Sequence, residues 1–122
     1  MKVQVLGCSH HNASIAVRER LAFSAEETRF ALTELRQEFP SMEVVLLSTC
    51  NRVEFYSATE NGGVLTRRHL ADFLAHFHHV DSEEAFEPLY QREYREAVRH
   101  LFLVASSLDS MVVGEPQILA QV

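Results

Sequence analysis

Apolar positions along the chain fall into runs with two different periods. Residues 3–7, Val-Gln-Val-Leu-Gly, form a short β-branched stretch that predicts a strand. Residues 43–48, Glu-Val-Val-Leu-Leu-Ser, are almost continuously apolar, which predicts a strand covered on both faces. Residues 53–58 predict another strand, and because only Thr49, Cys50, Asn51 and Arg52 lie between the two, a hairpin is the economical connection. Residues 89–91 predict a short edge strand. Helical spacing governs the rest. Residues 14–21 predict a short helix with Ile15 and Leu21 inward and Arg18, Glu19 and Arg20 outward. Ser24-Ala25-Glu26-Glu27 reads as a capping box that opens a longer helix, with Ala31, Leu32 and Leu35 as its stripe and Pro40 as its stop. Leu70, Phe73, Leu74 and Phe77 follow the i, i+3, i+4, i+7 rule. Asp81-Ser82-Glu83-Glu84 starts a brief helix before Pro88, and Asn61-Gly62-Gly63 marks a turn. A last helix over 94–108 carries the stripe Tyr94, Ala97, Val98, Leu101, Ala105 and Leu108, with His100 on its flank. The element order predicts an α+β fold, a ferredoxin-like split β-α-β sandwich. Its mixed or antiparallel sheet carries helices on one face and is followed by extra C-terminal helices.

Composition narrows the function classes. In 122 residues, 47% are hydrophobic and 23% charged, enough apolar side chains for one globular core. No apolar run approaches the ~20 residues that span a bilayer, and the start lacks the apolar stretch of a secretory signal. Two cysteines make no disulfide scaffold, so a reducing, cytoplasmic setting is the expectation. A formal charge of -6 argues against gripping nucleic acid by bulk electrostatics. Residues 1–122 therefore read as one domain, and the ending Ala120-Gln121-Val122, with neither a glycine cap nor a polar tail, reads as a break in a longer protein.

Candidate chemistry centres on Cys50. It follows a buried strand in a short loop, in the polar company of Ser48, Thr49, Asn51 and Arg52, where a thiol can serve as nucleophile. Arg52 beside it would either stabilise the anionic sulfur or hold a substrate carboxylate in its planar fork. The alternative is a buried structural thiol. His100 is a candidate acid or base, or else a boundary residue bonded to backbone. Cys8-Ser9-His10-His11 offers two metal-ligand types, but no second pair with zinc spacing follows. The cluster His76, Phe77, His78 and His79 suits a helix C-terminus, while Arg18-Glu19-Arg20 and Arg67-Arg68 read as solvated faces that can still meet a phosphate. Residues 106–118 form a helix–loop–helix corner, or else a small pocket lined by Ser110, Glu115 and Gln117; pattern leaves both open.

Several patches together carry a family likeness. These are Gly7 to His10, Arg18-Glu19-Arg20-Leu21-Ala22-Phe23, Leu47-Ser48-Thr49-Cys50-Asn51-Arg52 with Glu54 and Tyr56, and the block from His100 to Gln121. With them the chain resembles the N-terminal catalytic domain of glutamyl-tRNA reductase, an enzyme of tetrapyrrole (5-aminolevulinate, porphyrin, heme) biosynthesis. The resemblance implies that Cys50 takes glutamate from glutamyl-tRNA(Glu) as a thioester, which NADPH then reduces to glutamate-1-semialdehyde. It implies catalytic roles for Cys50 and His100. It also implies a glutamyl site of Thr49, Cys50, Asn51, Arg52, Ser110, Glu115, Pro116, Gln117 and Gln121, with Arg52 as carboxylate clamp. No metal is expected, because an aminoacyl ester is already activated. Homodimerisation through a further C-terminal helix, and glutamate-1-semialdehyde aminomutase as a partner, are further implications.

Two departures stand out. Ser9 replaces the Asn or Asp common before His10, and no Gly-x-Gly-x-x-Gly occurs, so the NADPH-binding domain is expected to lie outside these residues. Rival readings are a non-catalytic docking module and a thiol acyl-hydrolase on the same fold.

Overall fold

The computed structural model describes residues 1–60 and 64–106. Its elements are β1 (Lys2–Ser9), α1 (Ile15–Leu21), α2 (Ala25–Glu38), β2 (Met42–Ser48), β3 (Arg52–Thr59), α3 (Arg67–His78), α4 (Ser82–Phe86), β4 (Tyr90–Glu93) and α5 (Arg95–Ala105). The turn expected at Asn61-Gly62-Gly63 and the corner expected over 106–118 lie wholly or almost wholly outside the described residues.

The four strands form one antiparallel sheet in the order β2-β3-β1-β4. That order is the split β-α-β arrangement, in which each of two crossovers carries helices and β3 sits between β1 and β2. Period-two alternation divides the sheet into two faces. Leu6 and Cys8 of β1 and Val53 and Phe55 of β3 join Leu21, Ala31, Leu35, Leu70, Ala71, Leu74 and Ala85 in the main core. Helices α1 to α4 thus cover one face. Local signals start them where the sequence places them: Ser14 caps α1, Ser24 and Glu27 form the reciprocal capping box of α2, Thr66 caps α3 and Asp81 caps α4. His79 closes α3 in the left-handed region (φ 57°), with His76 and His78 in the last turn.

Helix α5 covers the other face. It has no side-chain cap; instead Tyr94 takes a positive φ of 51° at the β4–α5 junction while its N–H donates to the Val3 carbonyl at 2.8 Å. A non-glycine residue persists there only where its surroundings impose the geometry, at a cost of about 1–3 kcal/mol. The bend carries α5 across the sheet, where Val104 packs on Leu47 and Tyr56.

Three expectations need correction. The apolar run of β2 does not mark a strand covered on both faces: β2 is an edge strand, and Val45 is 58% exposed. The buried stripe of α5 is rotated from the expected one. Ala97 and Val104 are buried and His100 faces the sheet, whereas Tyr94, Val98 and Phe102 are exposed. The polar residues on β3 beneath the helix decide that rotation, because they offer His100 a partner. In α1, Ile15 is exposed and Arg18 is buried, the reverse of the amphipathic reading.

Candidate active site

Two strands of differing exposure meet at the loop 49–51, and backbone bonds lock it. The Thr49 N–H donates to the Arg52 carbonyl (2.9 Å), the Asn51 N–H to Thr49 Oγ1 (3.1 Å), and the His10 N–H to the Asn51 carbonyl (2.9 Å). Arg18 Nε donates to the Cys50 carbonyl at 3.2 Å, and its Nη1 to the Ala13 carbonyl at 2.7 Å. Thr49 and Asn51 are buried, but Cys50 at the tip is exposed. The thiol of Cys50 is therefore not a core thiol. Cys8 is: it is buried against the helices, and desolvation pushes its pKa up to about 11, even though a hydrogen bond at Val53 works the other way. Among the described residues no group of three or more His, Cys, Asp or Glu is arranged to hold a metal ion. Ser9 keeps a local bonding role, since its N–H donates to Asn12 Oδ1 and its Oγ accepts from the His11 N–H.

Beyond the loop, β3 turns a row of polar side chains toward α5. Arg52 and Glu54 are both fully buried, and Arg52 Nη1 lies 3.4 Å from Glu54 Oε2. The same carboxylate accepts from Tyr56 Oη (2.9 Å), from Tyr90 Oη on β4 and from His100 Nε2 on α5. Glu54 is thus the hub joining two strands and a helix. Burial acts to raise its pKa, yet the hydrogen bond and charge of His100, with Arg52 and Tyr90, outweigh burial and hold the carboxyl below its ordinary range. Tyr90 is pushed in the opposite direction, upward, first by its own burial and then by the neighbouring Glu54 charge. A charge so placed is tolerable only because its partners are many; removing one member of a buried ionic set costs far more than an exposed pair is worth.

Gly7 makes the hub possible. It stands opposite Glu54 in one register and Tyr90 in the other. A Cβ there would fall against the Val53 carbonyl oxygen and 2.8 Å from Glu54 Cα. Only glycine lets β1 pass this close beneath the carboxylate.

The structure therefore gathers Thr49, Cys50 and Asn51 into a rigid loop, and joins Arg52 to His100 through Glu54. Arg52 directly follows the loop and opens the polar row, so the two groups are contiguous along β3. Ser110, Glu115, Pro116, Gln117 and Gln121 lie outside the described residues. The residues missed from sequence are Glu54 as hub, Tyr90, and Arg18. Glu54 carried a signal, being an acidic residue in an otherwise apolar strand next to Arg52. Arg67 and Arg68, read as solvated, stack over the Phe86 ring at 4.4 and 4.0 Å.

A family model described as the N-terminal domain of glutamyl-tRNA(Glu) reductase matches residues 6–122. The chain belongs to that family. Among its relatives, the glutamyl-tRNA reductases of Aromatoleum aromaticum and Rhodopirellula baltica are each 48% identical over 122 residues. That alignment covers all of this chain but only 28% and 29% of theirs. The solved structure of glutamyl-tRNA reductase from Methanopyrus kandleri superimposes with a TM-score of 0.69 at 33% identity, over 98% of this chain and 26% of that one. The chain thus spans less than a third of the length of the relatives it matches. Among the described residues no helix is long and apolar enough to cross a membrane.

Proposed function

We propose that this chain is the catalytic domain of an NADPH-dependent glutamyl-tRNA reductase, and that Cys50 accepts glutamate from glutamyl-tRNA(Glu). The observation that carries the reading is the exposed Cys50 on a loop held by hydrogen bonds at the Thr49 and Asn51 amides and at the Cys50 and Asn51 carbonyls. In the transfer, the thiolate attacks the ester carbonyl carbon. The bond from that carbon to the 3′ ribose oxygen breaks, a proton passes to the departing oxygen, and free tRNA leaves a glutamyl thioester behind. His100 is the proposed proton donor. With Nε2 tied to Glu54, its Nδ1 is the nitrogen left for the ester. Arg52 is the proposed seat for the glutamyl carboxylate. Its planar guanidinium matches a carboxylate in shape and in charge. Thr49 and Asn51 hold the loop, and Ser110, Glu115, Pro116, Gln117 and Gln121 complete the proposed glutamyl site.

NADPH would supply the hydride that turns the thioester into glutamate-1-semialdehyde. The residues described here do not fit it. The chain has no Gly-x-Gly-x-x-Gly, and Gly7, the glycine of β1, is closed against β3 and leaves no cradle for a pyrophosphate. No hydride step is assigned to these residues. A cytoplasmic setting, a homodimeric enzyme and glutamate-1-semialdehyde aminomutase as partner complete the proposal on the family relation alone.

The transfer is read as release of tRNA from glutamyl-tRNA in a burst. The chain should release one equivalent per Cys50 and the Cys50→Ser variant none. A Cys50→Ser burst equal to that of the unaltered chain would overturn the proposal.

A further inference from the structure

Arg18 is buried in the described structure, on a helix of only seven residues. Amphipathic spacing places it outside, and no carboxylate among the described residues pairs with it. Burying a guanidinium without a counter-ion is costly, and such a position is kept only if its donors satisfy something else. Here they satisfy two peptide carbonyls far apart in the chain. Nε donates to Cys50 and Nη1 to Ala13, from opposite edges of one rigid fork.

We propose that Arg18 is a positioning residue for the acyl transfer, holding the Cys50 peptide so that the thiol stands at a fixed place at the loop tip. The inference rests on the reading of Cys50 as the nucleophile. The other bonds of the loop fix its neighbours: the Thr49 and Asn51 amides, and the Asn51 carbonyl that His10 holds. Among the described residues only the bond from Arg18 fixes the carbonyl of the nucleophile residue itself, and it ties that residue to the 13–18 segment. Loss of the tie frees the Cys50 peptide to rotate without unmaking the strands on either side, because β2 and β3 stay paired from Ser48 and Val53 onward. A small reagent finds a displaced thiol as readily as a fixed one. A bulky ester held elsewhere does not, and a misplacement of about 1 Å can cost about 10²-fold in rate.

Three readouts on the chain test this. In Arg18→Ala, single-turnover transfer of glutamate to Cys50 should slow by about 10- to 100-fold. The glutamyl-tRNA concentration giving half the maximal rate should stay unchanged, the sign of an interaction felt in the transition state only. Alkylation of Cys50 by iodoacetamide should keep its rate, and added methylguanidinium should restore much of the transfer. Amide exchange at Thr49, Asn51 and His10 should quicken by about 10-fold or more as the loop loosens. Transfer at the unaltered rate, alkylation falling in step with transfer, or unchanged exchange at those three amides would each overturn the proposal. If Arg18→Ala does not fold, Arg18→Lys keeps the charge as a point donor that cannot span both carbonyls, and is expected to show the same split between transfer and alkylation. If the unaltered chain forms no glutamyl adduct, the nucleophile reading itself fails, and the exchange measurement still decides whether Arg18 clamps the loop.

Discussion

Replacing Glu54 by glutamine removes one charge and almost no volume from the most crowded polar point in the molecule. The side chain is fully buried and accepts from Arg52, Tyr56, Tyr90 and His100. The amide oxygen of Glu54→Gln best takes the place of Oε2, which serves three of those donors, and turns its NH2 toward Tyr56 Oη. Each charge-assisted bond then falls from about 1.5–3 to about 0.5–1.5 kcal/mol, and Arg52 loses its buried counter-ion. Breaking a buried pair by removing one partner costs about 3–5 kcal/mol, and because these contributions overlap, that range is also the expected total. For a domain of this size it corresponds to a fall in Tm of about 10–20 °C. The chain has no tryptophan, so urea unfolding is followed by far-UV circular dichroism. The pH dependence gives a second check. Because the folded-state pKa of Glu54 lies below its ordinary value of 4.5, the ionised carboxylate stabilises fully above that value and the contribution is lost as pH falls through the folded pKa. The stability difference between unaltered chain and variant should thus be level near neutrality and shrink in acid. A loss under about 1 kcal/mol at neutral pH, or a difference that persists undiminished in strong acid, would refute the hub reading.

Three further outcomes follow from the same geometry. At pH 8, iodoacetamide should label Cys50 in the folded chain and leave Cys8 untouched, since Cys8 is buried with a pKa of about 11; both should label in urea, and folded-state labelling of Cys8 would contradict its burial. Gly7→Ala drives a methyl into the Val53 carbonyl and Glu54 Cα, so a loss of more than about 3 kcal/mol, or failure to fold, is expected in urea unfolding, and a neutral substitution would refute the close approach. Ser24→Ala should cost about 1 kcal/mol by removing one half of the capping box of α2 and leaving the Glu27 N–H without its partner, with transfer to Cys50 unaffected; a loss of transfer would tie this distant cap to the site.

Much of the architecture was legible in residue order because its signals are local. The capping box at Ser24, the Asp81 cap, the hairpin implied by a four-residue gap and the helical spacing of Leu70 and Leu74 each act within a few positions. The Cys50 loop was legible for the same reason, while the exposure of its thiol was left open by the pattern and comes from the fold. What escaped depends on partners distant in sequence. Arg18 is buried because carbonyls 5 and 32 residues away need donors. On α5, Val98 and Phe102 are more apolar than His100, yet His100 turns inward because Glu54, 46 residues earlier, awaits it. The continuous apolar run of β2 could not reveal an edge strand, since strand order is set by the whole crossover pattern. Glu54 looked like one acidic residue in an apolar strand; only the registers that bring Gly7 and Tyr90 alongside make it a hub.

The most direct measurement is intact mass spectrometry of the chain after brief incubation with glutamyl-tRNA. The expected result is a gain of one glutamyl group, mapped to Cys50, removed by hydroxylamine and absent from Cys50→Ser. A glutamyl group that persists in Cys50→Ser, or an unmodified Cys50 in a folded chain whose loop stays rigid, would contradict it.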